Sequence, residues 1–171
     1  LRPFAKYMTA PIVAGIAQDF DLRSTPATAE QFLAANGIEL KDREVDNSKH
    51  YGDAMTIDLF AGADPIYQVS LRGIITEGNL MISRLNNFDH LYLEPTGNNL
   101  FVEYPDQPGV IGRIASMLGE KHINIIDIRA PQDLKSGKSL AVIKTNQAIP
   151  ADLVAAIKSA VNAQTAFQFS Y

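Results

Sequence analysis

The chain has 171 residues and a net charge of −4, and 46% of its residues are hydrophobic. This length suits one large domain or two small ones, and the apolar fraction argues against wholesale disorder. The acidic balance, with no cluster of Lys and Arg, argues against a nucleic-acid-binding surface. There is no cysteine, which excludes disulfides, thiolate metal sites and a cysteine nucleophile.

The sequence contains no apolar run near the roughly 18 residues that a membrane-spanning helix needs. The apolar stretch at residues 10–17 is too short, and Pro11 and Gly15 interrupt it. The chain opens on Leu1, and residues 1–5 do not resemble a signal peptide. We therefore expect a cytoplasmic protein with no membrane partner, and a chain that is part of a longer protein.

The first half of the chain predicts a helix followed by an antiparallel β-meander. The first twenty residues have loose helical spacing. Thr25 as a cap, Pro26 in the first turn and a stop at Asn36 and Gly37 then predict a helix over residues 26–36. Partial alternation of apolar and polar residues predicts a series of strands, at residues 38–45, 55–60, 66–74, 80–85 and 90–93. Glu77, Gly78 and Asn79 predict a hairpin turn between two of them.

Turn-forming residues at positions 95–98 predict a domain boundary, which gives domains at residues 1–96 and 97–171. The second domain has a clear order of elements. The predicted strands cover residues 99–104, 123–129, 139–144 and 167–171, and the predicted helices cover 108–120 and 150–161. This βαββαβ order predicts a ferredoxin-like sandwich, so the fold class is α+β with a smaller, incomplete α+β domain in front. Two helices on one face would leave the other face of the sheet to solvent or to a partner.

A possible ligand site lies where the first strand of the second domain gives way to its first helix. The amides of Gly109 and Val110 fall in the first helical turn, where no intrahelical acceptor exists, and such amides bind carboxylates and phosphates. Asp106 can accept hydrogen bonds from an ammonium group. A zwitterionic amino acid needs both features. The alternative is structural, because Asp106 can also act as a helix cap and Pro-Gly as a simple turn.

The motif PDQPGVIG at residues 105–112, together with Asn124 and Ile125, resembles the ACT domain family over residues 98–171. Upstream segments are similar to part of the allosteric substrate-binding domain of long-form D-3-phosphoglycerate dehydrogenases. They are TPA at 25–27, ANGI at 35–38, VSLRGI at 69–74 and ISRLNNFD at 82–89. The resemblance implies a C-terminal regulatory region with an ACT domain.

The same resemblance implies a ligand and a set of residues that bind it. L-serine, the end product of the pathway, would bind at the interface of paired ACT domains in a homo-oligomer. The positions that match the family's ligand-binding residues are Tyr104, Asp106 and Asn124. The amides of Gly109 and Val110 would hold the carboxylate, and Ile125 lies beside Asn124. NAD and the catalytic residues would belong to another part of the parent enzyme, so we expect no catalytic residue and no cofactor in this chain.

The sequence contains candidates for three other kinds of site: an anion site, a metal site and a nucleic-acid-binding surface. Some relatives bind an anionic effector in the first domain, for which only Lys49, Arg72 and Arg84 are candidates, with solvated surface charges as the alternative. The three histidines lack the spacing of a zinc site, so no metal is expected; they are His50, His90 and His122. The aromatic side chains of three predicted strands are interpreted as core or interface residues rather than as a nucleic-acid-binding surface; they are Phe101, Phe167 and Phe169.

Two alternative functions share the same domains. One is the β subunit of an L-serine dehydratase, although the Ser-Ser-Ser-His-Thr stretch typical of that subunit does not occur in this sequence. The other is an ACT module that serves only oligomerisation and leaves its ligand site empty. A dinucleotide-binding motif or the serine-rich stretch in the adjoining part of the parent protein would separate the dehydrogenase from the dehydratase.

Overall fold

The structure of the chain is a computed structural model that describes residues 7–17, 19–41, 54–63 and 66–170. The chain divides into two compact units, Leu1–Asp53 and Ala54–Tyr171. The domain boundary predicted at residues 96 and 97 lies inside the second unit, between two sheets, and stays a prediction. In the described ranges, no helix is both long enough and apolar enough to cross a membrane.

The first unit contains two helices, α1 (Thr9–Ile16) and α2 (Pro26–Ala35). Pro11 falls in the first turn of α1, where its missing N–H costs no intrahelical hydrogen bond. The predicted helix over residues 26–36 is confirmed as α2, which the Thr25 hydroxyl caps by accepting from the Thr28 amide at 3.2 Å. The helices pack through a small buried cluster, composed of Ala10, Val13, Ala29 and Leu33.

The second unit begins with a three-stranded antiparallel sheet in the order β1-β2-β3. Its strands are β1 (Ala54–Ala61), β2 (Tyr67–Thr76) and β3 (Asn79–Leu85). The predicted hairpin is confirmed: Glu77 and Gly78 both have positive φ and join β2 to β3 across the pair Thr76 and Asn79.

Two strands predicted in the first half differ from the structure. Residues 38–41 are irregular, and the rest of the strand predicted at 38–45 lies outside the described residues. Residues 90–93 form no strand, because His90 and Tyr92 adopt positive φ, and only Leu93 makes a single bridge, to Ile82. A left-handed residue at every second position turns the chain, which prevents an extended ladder.

The remaining elements form a five-stranded sheet covered by two helices. They are β4 (Asn98–Pro105), α3 (Val110–Glu120), β5 (Ile125–Arg129), β6 (Gln132–Asp133), β7 (Lys138–Thr145), α4 (Ala151–Ala160) and β8 (Thr165–Ser170). The main path of the sheet is β5-β7-β4-β8, all antiparallel, with short β6 paired to β7. The predicted βαββαβ fold is therefore confirmed. Helix α3 starts at Val110 rather than at the predicted residue 108, because Gly109 at φ 89° is its left-handed N-cap.

Alternation along β4 and β7 sends side chains to two differently covered faces of the five-stranded sheet. Leu100 and Ile143 are fully buried on the face that α3 and α4 cover. On the opposite face, Phe101 and Val142 pack against residues from the segment that follows β3; these are Phe88, Leu91 and Leu93. The expectation that this face is left to solvent or a partner was therefore wrong for its centre. The alternation of Leu91 and Leu93 in that segment predicted a strand and not this packing.

Candidate functional site

The candidate site begins at the C-terminal end of β4, where the Asp106 carboxylate is held by two side-chain donors. The Ser139 hydroxyl donates to its Oδ1 at 2.7 Å, and the Gln132 side-chain amide donates to its Oδ2 at 3.0 Å. The Asp106 backbone N–H donates to the Gly137 carbonyl at 2.9 Å. The hairpin formed by β6 and β7 thus fixes this aspartate, which itself remains exposed.

The N-terminus of α3 follows Asp106 directly and carries no side-chain cap from the described residues. Its first backbone hydrogen bond runs from the Arg113 amide to the Gly109 carbonyl at 3.0 Å. The amides before Arg113 therefore have no acceptor within the helix, and the helix dipole adds partial positive charge at the same end. A Cβ at Gly109 would meet no atom within 4 Å, so the space beside this N-cap residue is open. This end of the helix can accept a carboxylate.

Tyr104 forms the inner wall of the site and is only 4% exposed. Burial raises the pKa of its phenol, and the negative charge of Asp106 raises it further, while a hydrogen bond with Ser139 opposes both effects. The phenol therefore stays neutral beside the carboxylate. Tyr104 also belongs to the core between the sheet and its helices, so it connects the site to the packed interior of the domain.

The other two predicted site residues lie at the far end of the same sheet. Ile125 is level with Thr145 and Asn98, whereas Gln132 is level with Ser139 and Tyr104. The two levels are six residue steps apart along β7, from Ser139 to Thr145, which corresponds to about 20 Å along a strand. A single chain therefore does not bring Asn124 and Ile125 together with Asp106.

Asn124 itself is exposed, and its hydrogen bonds with the described residues are made by its backbone. Its N–H donates to the Asn146 side chain at 2.9 Å, and its carbonyl accepts from the Asn146 amide at 3.0 Å. No described residue forms a hydrogen bond with the side-chain amide of Asn124. Ile125 is half-buried against the helix-side core. Val110, the first residue of α3, is also buried there, so only its amide can serve a ligand.

Sequence reasoning missed Gln132 and Ser139, the two residues that hold Asp106. They face each other as a register pair between β6 and β7. The sequence predicted Ser139 as the start of an ordinary strand and no strand at Gln132. The sequence has a weak signal for the hairpin at Gly137, which adopts φ 67°, but no signal for the pairing that points both donors at Asp106.

The same hairpin is tied to the segment after β3 by Asp133. This carboxylate accepts from the Ser136 hydroxyl at 2.7 Å, the Lys135 amide at 3.0 Å and the Asn87 side chain at 3.2 Å. The bond from Ser136 is the main cause of the lowered pKa of Asp133, and the bonds from Lys135 and Asn87 lower it further, while burial opposes them. Adjacent hairpin residues therefore hold Asp106 on one side and Asn87 on the other.

Two of the three candidates for an anionic effector site, Arg72 and Arg84, have protein partners. Arg72 and Arg84 are register partners on β2 and β3. Arg72 lies 3.9 Å from Asp89, and Arg84 donates to the Ser70 hydroxyl at 2.8 Å. Lys49 lies outside the described residues. The alternative of fully solvated charges does not hold for the two arginines, since both are partly buried.

The remaining candidates are the histidines and the aromatic residues of the strands. Among the described residues, no group of three or more His, Cys, Asp or Glu side chains could hold a metal ion, and His50 lies outside this set. The rings of Phe101 and Phe167 stack with centroids 5.0 Å apart, and Phe167 and Phe169 remain about half exposed. Phe101 is thus a core residue, and the two residues of β8 lie at the surface.

Residues 99–162 match the family model for the ACT domain. The chain therefore contains an ACT domain, which is the five-stranded sheet with its two helices, and the candidate site lies at its β4–α3 junction. ACT domains generally bind amino acids and dimerise.

Relatives of this chain are D-3-phosphoglycerate dehydrogenases, which confirms the resemblance seen in the sequence. The enzyme of Mycobacterium leprae is 32% identical over 111 residues, which are 63% of this chain and 20% of that protein. The enzyme of Methanocaldococcus jannaschii is 26% identical over 162 residues, 94% of this chain and 28% of that protein. That of Synechocystis is 23% identical over 94 residues. The chain thus spans less than a third of the length of these relatives.

Proposed function

We propose that this chain is the regulatory region of an NAD-dependent D-3-phosphoglycerate dehydrogenase of serine biosynthesis, acting in the cytoplasm. Its ACT domain would bind L-serine between two paired copies. The observation that carries the proposal is the junction of β4 and α3, where a hydrogen-bonded carboxylate and uncapped helix amides lie side by side. These groups complement the ammonium and the carboxylate of a zwitterionic amino acid.

The distance between Asp106 and Asn124 supports a site shared by two copies. Strand β5 lies at an edge of the sheet and exposes Ile126 and Ile128. Pairing β5 with the β5 of a second copy about a two-fold axis would run the two strands antiparallel. The start of one β5 would then meet the end of the other. Asn124 of one copy would thereby lie at the same end as Asp106 of its partner.

Regulation of the dehydrogenase would follow from a difference in serine affinity between two arrangements of the paired domains. A ligand shifts such an equilibrium only as far as it binds one arrangement better than the other. The catalytic domains and NAD belong to the full-length enzyme, and this region would supply the sensor. Similarity to named dehydrogenases over most of this chain supports this assignment over a serine dehydratase subunit.

The first experiment is isothermal calorimetry of the 171-residue chain with L-serine, and with glycine and L-valine for comparison. We expect saturable binding of L-serine that Asp106→Ala and Asn124→Ala each abolish. Analytical ultracentrifugation of the same samples would verify that the variants remain folded and paired. A folded, paired chain that gives no heat with any of the three amino acids would leave the ACT domain with an assembly role only.

Mixing the two variants tests whether the site is shared. A dimer of one Asp106→Ala chain and one Asn124→Ala chain has one site with both native side chains if the residues come from different copies. Serine binding should therefore reappear on mixing after subunit exchange. If each site used residues of a single copy, the mixture would show no serine binding.

A further inference from the structure

Asp106 does not cap the helix that follows it. Only two residues separate it from Gly109, the N-cap of α3, so its carboxylate is close in sequence to the uncapped amides. Both carboxylate oxygens instead accept hydrogen bonds from side chains of the β6–β7 hairpin, from Ser139 at 2.7 Å and from Gln132 at 3.0 Å. The molecule thus keeps an exposed anion and an uncapped helix N-terminus next to each other without letting them meet.

We propose that Ser139 and Gln132 are positioning residues that hold Asp106 off the N-terminus of α3. The carboxylate then remains available for the ammonium of the ligand, and the helix amides remain available for its carboxylate. This inference rests on the proposed amino-acid site and adds two residues to it. Neither residue contacts the ligand in this arrangement, and both act through Asp106.

The construction of the hairpin explains how these residues can hold an exposed side chain. Ser139 is 1% exposed, so packing fixes the direction of its hydroxyl. Gln132 faces Ser139 directly across the β6–β7 ladder, so both donors lie at one level of the hairpin. A carboxylate oxygen has lone pairs for more than one donor. The ligand's ammonium would therefore join these two hydrogen bonds without displacing them.

Without these two donors, neither the Asp106 carboxylate nor the helix amides would remain available to the ligand. The uncapped amides nearest to Asp106 at the start of α3 are those of Gly109 and Val110, where the helix dipole favours a negative charge. Asp106 would then cap α3. Its charge would be neutralised by the helix, and the amides would be lost to a ligand carboxylate.

The test uses the full 171-residue chain and two probes, L-serine and 3-hydroxypropanoate, which is serine without its ammonium group. In Ser139→Ala/Gln132→Ala we expect the Kd of both probes to rise about tenfold or more, the size expected for losing a charge-assisted hydrogen bond. Adding Asp106→Ala to this double variant should restore 3-hydroxypropanoate binding, because the amides are uncapped again, while L-serine binding stays weak.

Ser136→Ala is the matched control, since Ser136 lies in the same hairpin but donates to Asp133. Recovery of 3-hydroxypropanoate binding in the triple variant supports the positioning role, because weakening of the hairpin would not be repaired by a third substitution. Native binding in the double variant would overturn the inference. So would an equal loss in Ser136→Ala, or a triple variant that fails to recover.

Hydrogen exchange at the amides of Gly109 and Val110 gives a readout that needs no ligand. Protection should be gained in the double variant and lost again in the triple variant. If the native chain bound neither probe, the proposed serine site would fail. The exchange data would still decide whether Ser139 and Gln132 hold Asp106 off the helix, and unchanged protection would contradict it.

Discussion

The two sheets of the second unit have similar alternating sequences, but their side chains are buried to very different extents. In the five-stranded sheet, helices cover one face and the segment after β3 covers the centre of the other, so Leu100 and Ile143 are fully buried. Among the described residues of β1, β2 and β3, the only buried side chain is Ser70. Leu59 and Val69, neighbours on one face of that sheet, remain 39% and 49% exposed.

This difference shows that alternation specifies a strand and its apolar face but not what covers that face. A three-stranded sheet gains stability from packing against another element, beyond its backbone hydrogen bonds. The ACT domain brings two helices of its own for this purpose. We therefore expect stability to be concentrated in the ACT domain, and the following predictions test that contrast from the largest expected effect to the smallest.

The largest contrast should come from the same substitution in a strand of each sheet. Leu100→Ala removes a fully buried side chain from β4 and should cost about 3 kcal/mol of unfolding free energy. Leu59→Ala removes a side chain from β1 that is already partly in water and should cost less than about 1 kcal/mol. Urea denaturation at several protein concentrations measures both. A loss for Leu59→Ala that equals the loss for Leu100→Ala would mean that a partner buries this face.

Leu91→Ala tests the cover on the second face of the ACT sheet. Leu91 is fully buried against Phe101 and Val142, although its segment has no regular secondary structure. The expected cost is about 2–3 kcal/mol, close to that of a core leucine. Urea denaturation, with Tyr92→Ala as an exposed neighbour for control, gives the comparison. An equally small effect of both substitutions would remove this segment from the core.

Two glycines of the β4–α3 junction should respond in opposite directions. Gly109→Ala places a side chain at φ 89° and should cost about 1 kcal/mol. Gly112→Ala lies inside α3 with no atom within 4 Å of the new methyl group, and should stabilise the chain by about 0.5–1 kcal/mol. Thermal unfolding of both variants measures this. A stabilising Gly109→Ala would contradict the left-handed N-cap that leaves the helix amides open.

The smallest effect is a dependence on pH through Asp133. Because its pKa is lowered in the folded chain, chiefly by the Ser136 hydroxyl, folding is favoured by the ionised carboxylate. This contribution is fully present above the ordinary aspartate pKa of about 3.9 and is lost as the pH falls through the lowered value. The native chain should therefore lose more stability on acidification through this range than Asp133→Asn does. Equal losses in chemical denaturation would rule out the contribution.

Much of the ACT fold was predictable from local sequence. The apolar stripes of α3 and α4 and the alternation in β4 and β7 have distinct periods, which identified each element. The hairpin turn was also predictable, because Gly78 tolerates the positive φ that a tight turn requires, although Glu77 and not Asn79 adopts the second positive φ. The prediction of a strand at residues 90–93 was wrong. Its apolar residues alternate, but two backbone angles that only the folded chain imposes turn it into a cover for the sheet.

The sequence by itself determined that this chain contains an ACT domain, since motif and periodicity are local properties. It also singled out Asp106 and Gly109, whose chemistry follows from their position before a helix. Only the tertiary structure decided that Ser139 and Gln132 hold Asp106, and that Asn124 lies at the opposite end of the sheet. Both facts depend on strand register and strand order, which join residues distant in sequence through backbone pairing that no single segment encodes.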